Sequence, residues 1–242
     1  MKTIRLSLLS LFLLTIYSCI PSIHGIVTDE TRITDDRLLG RWSTRHAGAE
    51  EVYDSLGQSE FSSEELDYTF ERAANITCNY PDGVKTVFEG TALSLIKDDA
   101  TYISKKELLP YYILTHRELV NQDTVISYFS VQMTKIQNYL WLDFLPFPQD
   151  EGIFAGHFAT SYVLAHTFAT VSFSEGSIDM RVIDADYIQK LITQKRIRLK
   201  NEQRSDNEII LTASTRELRE FLSTYSEDEN LLESPDHLYT VK

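Results

Sequence analysis

Thr124-Val125-Ile126-Ser127-Tyr128-Phe129-Ser130-Val131-Gln132-Met133-Thr134-Lys135-Ile136, near the middle of the 242-residue chain, has the period of a strand. Val125, Ser127, Phe129, Val131 and Met133 share one face, and Ile126, Tyr128, Ser130 and Gln132 the other, because successive side chains of an extended chain point to opposite sides. The β-branched and aromatic content agrees with that period. Leu66-Asp67-Tyr68-Thr69-Phe70 also alternates, as do residues 84–96, which follow the turn Pro81-Asp82-Gly83. There proline presets φ and glycine accepts a positive φ. Asp98-Asp99 marks another turn, with a strand after it at 101–106. Residues 140–144 form a strand that Pro146 and Pro148 stop, since proline cannot donate to a ladder. Residues 162–173 and 178–183 flank Ser174-Glu175-Gly176-Ser177 and predict a hairpin. Strands joined by short turns imply an antiparallel sheet, and eight or more of them with few helices predict a closed or nearly closed barrel.

The period changes towards the C-terminus. Tyr187, Ile188, Leu191 and Ile192 recur at helical spacing after Asp184, a candidate N-cap. Ser214-Thr215-Arg216-Glu217 is a capping-box pattern, and Leu218, Phe221, Leu222 and Tyr225 follow on one helical face. A short strand at 208–212 separates the two helices, and Leu238-Tyr239-Thr240-Val241 reads as the last strand.

Upstream of the alternating region the chain opens as a secretory signal. Lys2 and Arg5 precede an apolar run from Leu6 to Ile16, then Tyr17-Ser18-Cys19. The run is too short to span a bilayer, which needs about 20 residues. Cysteine just after a candidate cleavage point resembles a bacterial lipoprotein signal, of the relaxed kind seen in Bacteroidetes. It implies a signal over residues 1–18 and a lipid on Cys19 as the link to a membrane. The alternative is cleavage after Ser22 or Gly25 and release as a secreted protein. Ile20-Pro21-Ser22 has no aspartate after the cysteine and no acidic cluster. The expected address is therefore the periplasmic side of the outer membrane. Residues 19–36 are polar and patternless and read as a flexible tether, residues 48–65 as a long loop or short exposed helix, and residues 37–242 as a single domain.

Cys19 and Cys78 are the two cysteines. With Cys19 lipidated or removed, Cys78 has no partner in the chain and reads as a buried structural thiol. Without Lys2 and Arg5 the mature chain carries 21 basic and 36 acidic residues, a charge of −15. Such a charge disfavours nucleic acid and anionic lipid surfaces. The basic island Lys190, Lys195, Arg196, Arg198 and Lys200 reads as a helix C-terminus running into a solvated strand.

Leu38-Leu39-Gly40-Arg41-Trp42, at the entrance to this β-rich region, resembles the Gly-x-Trp signature of lipocalins and related calycins. Leu140-Trp141-Leu142-Asp143-Phe144, His166-Thr167-Phe168 and Ile209-Ile210-Leu211-Thr212-Ala213-Ser214-Thr215-Arg216-Glu217-Leu218 are similar to segments of uncharacterised lipocalin-like bacterial lipoproteins. The resemblance implies a mainly β, antiparallel lipocalin-like β-barrel with two C-terminal helices. It also implies that Trp42, after Gly40, plugs the closed end at the start of the first barrel strand. The arginine that lipocalins place on a late strand against that tryptophan has no counterpart in Leu238-Tyr239-Thr240-Val241-Lys242.

No nucleophile elbow, phosphate loop, zinc-protease helix or calcium loop occurs. His157 and His166 are nine residues apart, about 30 Å along a straight strand, and share a metal only if the chain turns between them. No metal or cofactor is expected. Tyr162, Leu164, His166 and Phe168 share one face of a strand, and Tyr128 and Phe129 belong to another that mixes aromatic and small polar groups. These residues are the candidate lining of a ligand cavity. Asp143 is a carboxylate inside an apolar strand, a setting that suggests burial. The leading expectation is an envelope-anchored, non-enzymatic protein that binds a small apolar or amphipathic molecule in its barrel. Its rival is an envelope interaction or assembly protein with a filled barrel, and an enzyme built around Asp143 or His166 stands third.

Overall fold

The alternating segments pair into a ring. The computed structural model describes residues 20–44, 66–79, 85–91, 103–120, 123–146, 164–205 and 208–241. Its strands and helices are β1 (Arg32–Ile33), β2 (Gly40–Ser43), β3 (Leu66–Asn79), β4 (Lys85–Thr91), β5 (Ile103–Val120), β6 (Asp123–Ile136), β7 (Tyr139–Pro146), β8 (Thr167–Ser174), β9 (Ser177–Val182), α1 (Ala185–Thr193), β10 (Asn201–Ser205), β11 (Glu208–Leu211), α2 (Thr215–Tyr225) and β12 (Asp236–Thr240). Around the ring β2, β3, β5, β6, β7, β8, β9 and β12 are hydrogen-bonded neighbours, each antiparallel to the next. Tyr239 opposite Ser43 and Thr240 opposite Trp42 close it. The protein is thus mainly β, a closed eight-stranded antiparallel barrel, with both helices inserted before the last strand. This next-neighbour order is compatible with a lipocalin-like fold.

Period-two patterning then separates two cores. Trp42, Phe70, Tyr112, Leu114, Val131, Met133, Leu142, Ala169, Val171, Ile178 and Leu238, from all eight ring strands, are buried together inside the barrel. The opposite face of β6, β7 and β8 supplies Ile136, Trp141 and Phe168 to a second core outside the barrel wall. There they meet Ile188 and Leu191 of α1, Leu218, Phe221 and Leu222 of α2, and Ile209 and Leu211 of β11. Each helix thus buries its apolar stripe against a barrel wall already closed on its inner side.

The helix signals operate as read. Asp184 accepts from the Tyr187 N–H, and Ser214 with Glu217 forms a reciprocal capping box. The hairpin between β8 and β9 turns at Gly176, whose φ of +74° suits glycine. β5 is far longer than the strand expected at 101–106, and it contains Pro110, which cannot donate to a ladder. A bulge resolves this. Arg72 pairs with Tyr112 but Ala74 with Leu108, so residues 109–111 oppose Ala73 alone and Pro110 stands where no ladder N–H is required.

Residues 20–36 do not form the expected tether. The segment lies on the barrel as a strap: the backbone of Ser22 bridges His166 on one side and Leu211 on the other. Ile20, Ser22 and Ile26 are buried. Isoleucine at 20 and 26 carries no local period, and its burial exists only because the barrel wall and β11 offer a groove. The folded domain therefore includes residue 20. Cys19 and the expected long loop at 48–65 lie outside the described residues, as does the side chain of Cys78 on β3. Among the described residues no helix is long and apolar enough to cross a membrane.

Candidate functional site

The Gly-x-Trp segment leads the chain into the barrel core at the start of β2. Gly40 has a φ of +124°, which side-chain-bearing residues rarely adopt, and this bend carries the chain from the 3-10 turn at Asp36–Leu38 into β2. Trp42 enters the interior and its indole N–H donates to the Leu38 carbonyl at 2.9 Å. An arginine serves this segment after all, from β3. The Arg72 guanidinium lies 5.0 Å over the Tyr112 ring and pairs with Asp36 at 2.6 Å. Arg37 covers the Phe173 ring at 4.4 Å. Cation–π contacts and an ion pair thus hold the 3-10 turn to the barrel.

Next to Trp42, whose cross-strand partner on β3 is Tyr68, aromatic groups meet in pairs. Tyr68 and His116 face each other with ring centroids 4.9 Å apart, and Phe129 meets Phe144 edge-on at 6.4 Å. Burial holds the His116 pKa below the ordinary imidazole value, with the Glu118 charge opposing in part. Of the candidate cavity residues, Phe129 is in one of these pairs. His116 and Tyr68 were missed because each lies alone among polar neighbours in sequence.

The other cavity candidates do not line the interior. Tyr128 is on the outer face of β6 and exposed, Leu164 is exposed, and Phe168 belongs to the outer core. The reason is parity. On β8 the small Ala169 and the Val171 point inward, so His166 and Phe168 point outward. Tyr162 lies outside the described residues, as does His157. Asp143 shares the outward face of β7 with Trp141, and there it meets His166.

This pair is a largely buried polar contact outside the barrel. Asp143 is 4% exposed, its Oδ1 lies 2.6 Å from His166 Nδ1, and its Oδ2 accepts the Ile26 N–H at 2.7 Å. A carboxylate that accepts two hydrogen bonds can be buried at modest cost. Gly25 makes the approach possible: a Cβ there would overlap Asp143 Oδ2 and sit 2.9 Å from His166 Cε1. The strap residue Ile26 is thereby held at both polar atoms, since its carbonyl accepts from Arg219 Nη1 at 2.8 Å. A nucleophilic triad would need a hydroxyl or thiol bonded to the other ring nitrogen. Among the described residues none is bonded there, and no three His, Cys, Asp or Glu side chains converge as a metal site. The arrangement suits a latch that fastens the strap to the barrel wall.

No protein-family model matches the chain, and neither the curated proteins nor the solved structures contain a match.

Proposed function

We propose that the protein is an envelope interaction or assembly factor, a lipoprotein held by Cys19, whose barrel is a filled scaffold. The observation that carries this reading is the packed interior. Leu38, Phe70, Tyr112, Val131, Met133, Leu142, Ala169 and Ile178 are at most 2% exposed and occupy the barrel axis from several sides. An interior packed like an organic solid leaves no volume for a drug-sized guest, which needs about 300 Å³ or more. The outer surface is then the working surface. Ile126 and Tyr128, both exposed on the outer face of β6, supply apolar contact area there.

One observation supports a second reading, the binding of a small amphipathic molecule. Phe129 with Phe144, and Tyr68 with His116, make two aromatic pairs in the barrel, the second bearing a hydroxyl and an imidazole as polar handles. On this reading the ligand sits against these pairs and does not fill the barrel.

Native mass spectrometry of protein extracted from membranes, with crosslinking before lysis, separates the two. A specific crosslinked protein partner, with no small molecule retained, fits the scaffold reading. A stoichiometric lipid-like adduct lost on Phe129→Ala overturns it in favour of the second. Loss of membrane association in Cys19→Ala checks the address, and a variant that still fractionates with the outer membrane refutes the anchor.

A further inference from the structure

Beside α2, on the side away from its buried stripe, runs a groove of about 810 Å³ between the helix, the β6–β7 turn and Thr28 of the strap. We propose that this groove binds a small ligand bearing a phosphate, sulfate or carboxylate group on a hydroxylated body.

The chain carries a net −13, yet Lys135, Arg216 and Arg219 face this groove against the single acid Glu220. Arg216 has Glu220 at 3.9 Å, which leaves Lys135 and Arg219 without a carboxylate among the described residues. Arg219 is the more telling of the two. Its Nη1 contacts the Ile26 carbonyl at 2.8 Å, the Thr134 hydroxyl at 3.2 Å and the Thr31 hydroxyl at 3.3 Å. All three acceptors are neutral, so they fix the guanidinium without compensating its charge. A guanidinium has five N–H donors in a rigid fork. Among the described residues no acceptor reaches its Nε or Nη2. Burial lowers the Arg219 pKa and no carboxylate acts in the other direction, a cost that a bound anion offsets.

The walls are prearranged as well. Gln137 adopts a φ of +53° in the β6–β7 turn and donates from Nε2 to Ser223 Oγ at 2.6 Å, tying the turn to the helix. Thr215, Ser223 and Thr224 line the same groove with hydroxyls. An oxyanion held by a fixed guanidinium fork, with hydroxyl groups alongside, is a good match to a sugar phosphate or a sugar acid.

The test is an NMR titration of the full-length protein at constant ionic strength. The probes are inorganic phosphate, glucose 6-phosphate and glucuronate, read at the Arg219 Nε–H and the backbone amides. The expected result is saturable shifts at Arg219, Thr28, Gln137 and Thr215, with one sugar anion binding more tightly than inorganic phosphate. Which sugar anion binds better distinguishes a phosphate from a carboxylate ligand. Lys135→Gln weakens binding about threefold without changing the melting temperature, and Arg219→Lys, which keeps the charge and loses the fork, weakens it about tenfold. Shifts that rise linearly and appear equally at Lys195, Arg198 and Lys200 overturn the proposal. So does unchanged affinity in Lys135→Gln, a readout that survives even if Arg219 variants fail to fold because the strap has lost its strut.

Discussion

Asp143 accepts from the buried Ile26 N–H and from the imidazole of the partly buried His166. Removing the acceptor strands them, and each buried unsatisfied donor costs about 1–3 kcal/mol. Asp143→Ala is therefore expected to lose about 3 kcal/mol in urea unfolding. Asp143→Asn loses only about 1 kcal/mol, because His166 can move its proton to Nε2 and accept from the new amide at Nδ1. The nitrogen chemical shifts of the ring report that exchange of tautomer, and an unshifted ring removes the argument. Two glycines fail in different ways. At Gly25 the space is missing, and an added Cβ overlaps the latch. At Gly40 there is open space, but the φ of +124° is wrong for any side chain. Each alanine variant is expected to cost about 1–3 kcal/mol. Hydrogen exchange tells them apart: Gly25→Ala exposes the amides of residues 20–27 with the barrel protected, whereas Gly40→Ala lowers protection throughout.

At the scale of elements, α2 is held by its cap as well as by its buried face. Glu217 reaches back to the Ser214 N–H and hydroxyl and is joined by Lys200, which lowers its pKa from 4.5 to about 2. A depressed carboxylate pKa favours the folded state above the unfolded value and loses that contribution as pH falls from 4.5 towards 2. Ser214→Ala removes the hydroxyl but keeps the backbone donor, so it should raise the Glu217 pKa only part of the way back towards 4.5, read by carboxyl carbon shifts. Trp141 poses the opposite problem. Its ring is fully buried in the outer core, and its indole N–H has no acceptor among the described residues. Trp141→Phe trades lost volume against relief of that donor, so its cost is expected to be only about 1–2 kcal/mol, against 3–5 for Trp141→Ala. These elements were legible: the capping box, Asp184 before α1 and the hairpin at Gly176 are local chemistry. β5 was legible only in part, since Pro110 is tolerated by a bulge that exists because β3 lies opposite. The cavity face was misread for a related reason. Alternation shows that His166 and Phe168 share a side, but whether that side is the inside depends on which strands flank it.

On the scale of the whole molecule, one titratable group ties the barrel to pH. His116 faces Tyr68 in the barrel, and burial depresses its pKa below 6.5. The unfolded chain then binds more protons than the folded one as pH falls through 6.5, so this contribution to stability is complete above that value and declines below it. His116→Phe should flatten the slope of stability against pH between about 7 and 5, and an unchanged slope would assign it to another group. The strap has a similar reach. It joins the barrel wall, β11 and α2 through Ser22, Ile26 and Arg219, so weakening it at Gly25 should loosen the outer core before the barrel itself opens.

The sequence by itself determined most of the ring strands, their antiparallel order and both helices with their caps. Each is written in period, in turn residues or in side-chain groups within four positions of their partners. Only the tertiary structure decided that residues 20–36 are a strap and that Asp143 and His166 form a latch across 23 positions. The same holds for Arg72 against Asp36 and for Arg219 beside the groove. Closing a sheet brings together residues that no local pattern relates, and it alone assigns each strand face to the inside or the outside.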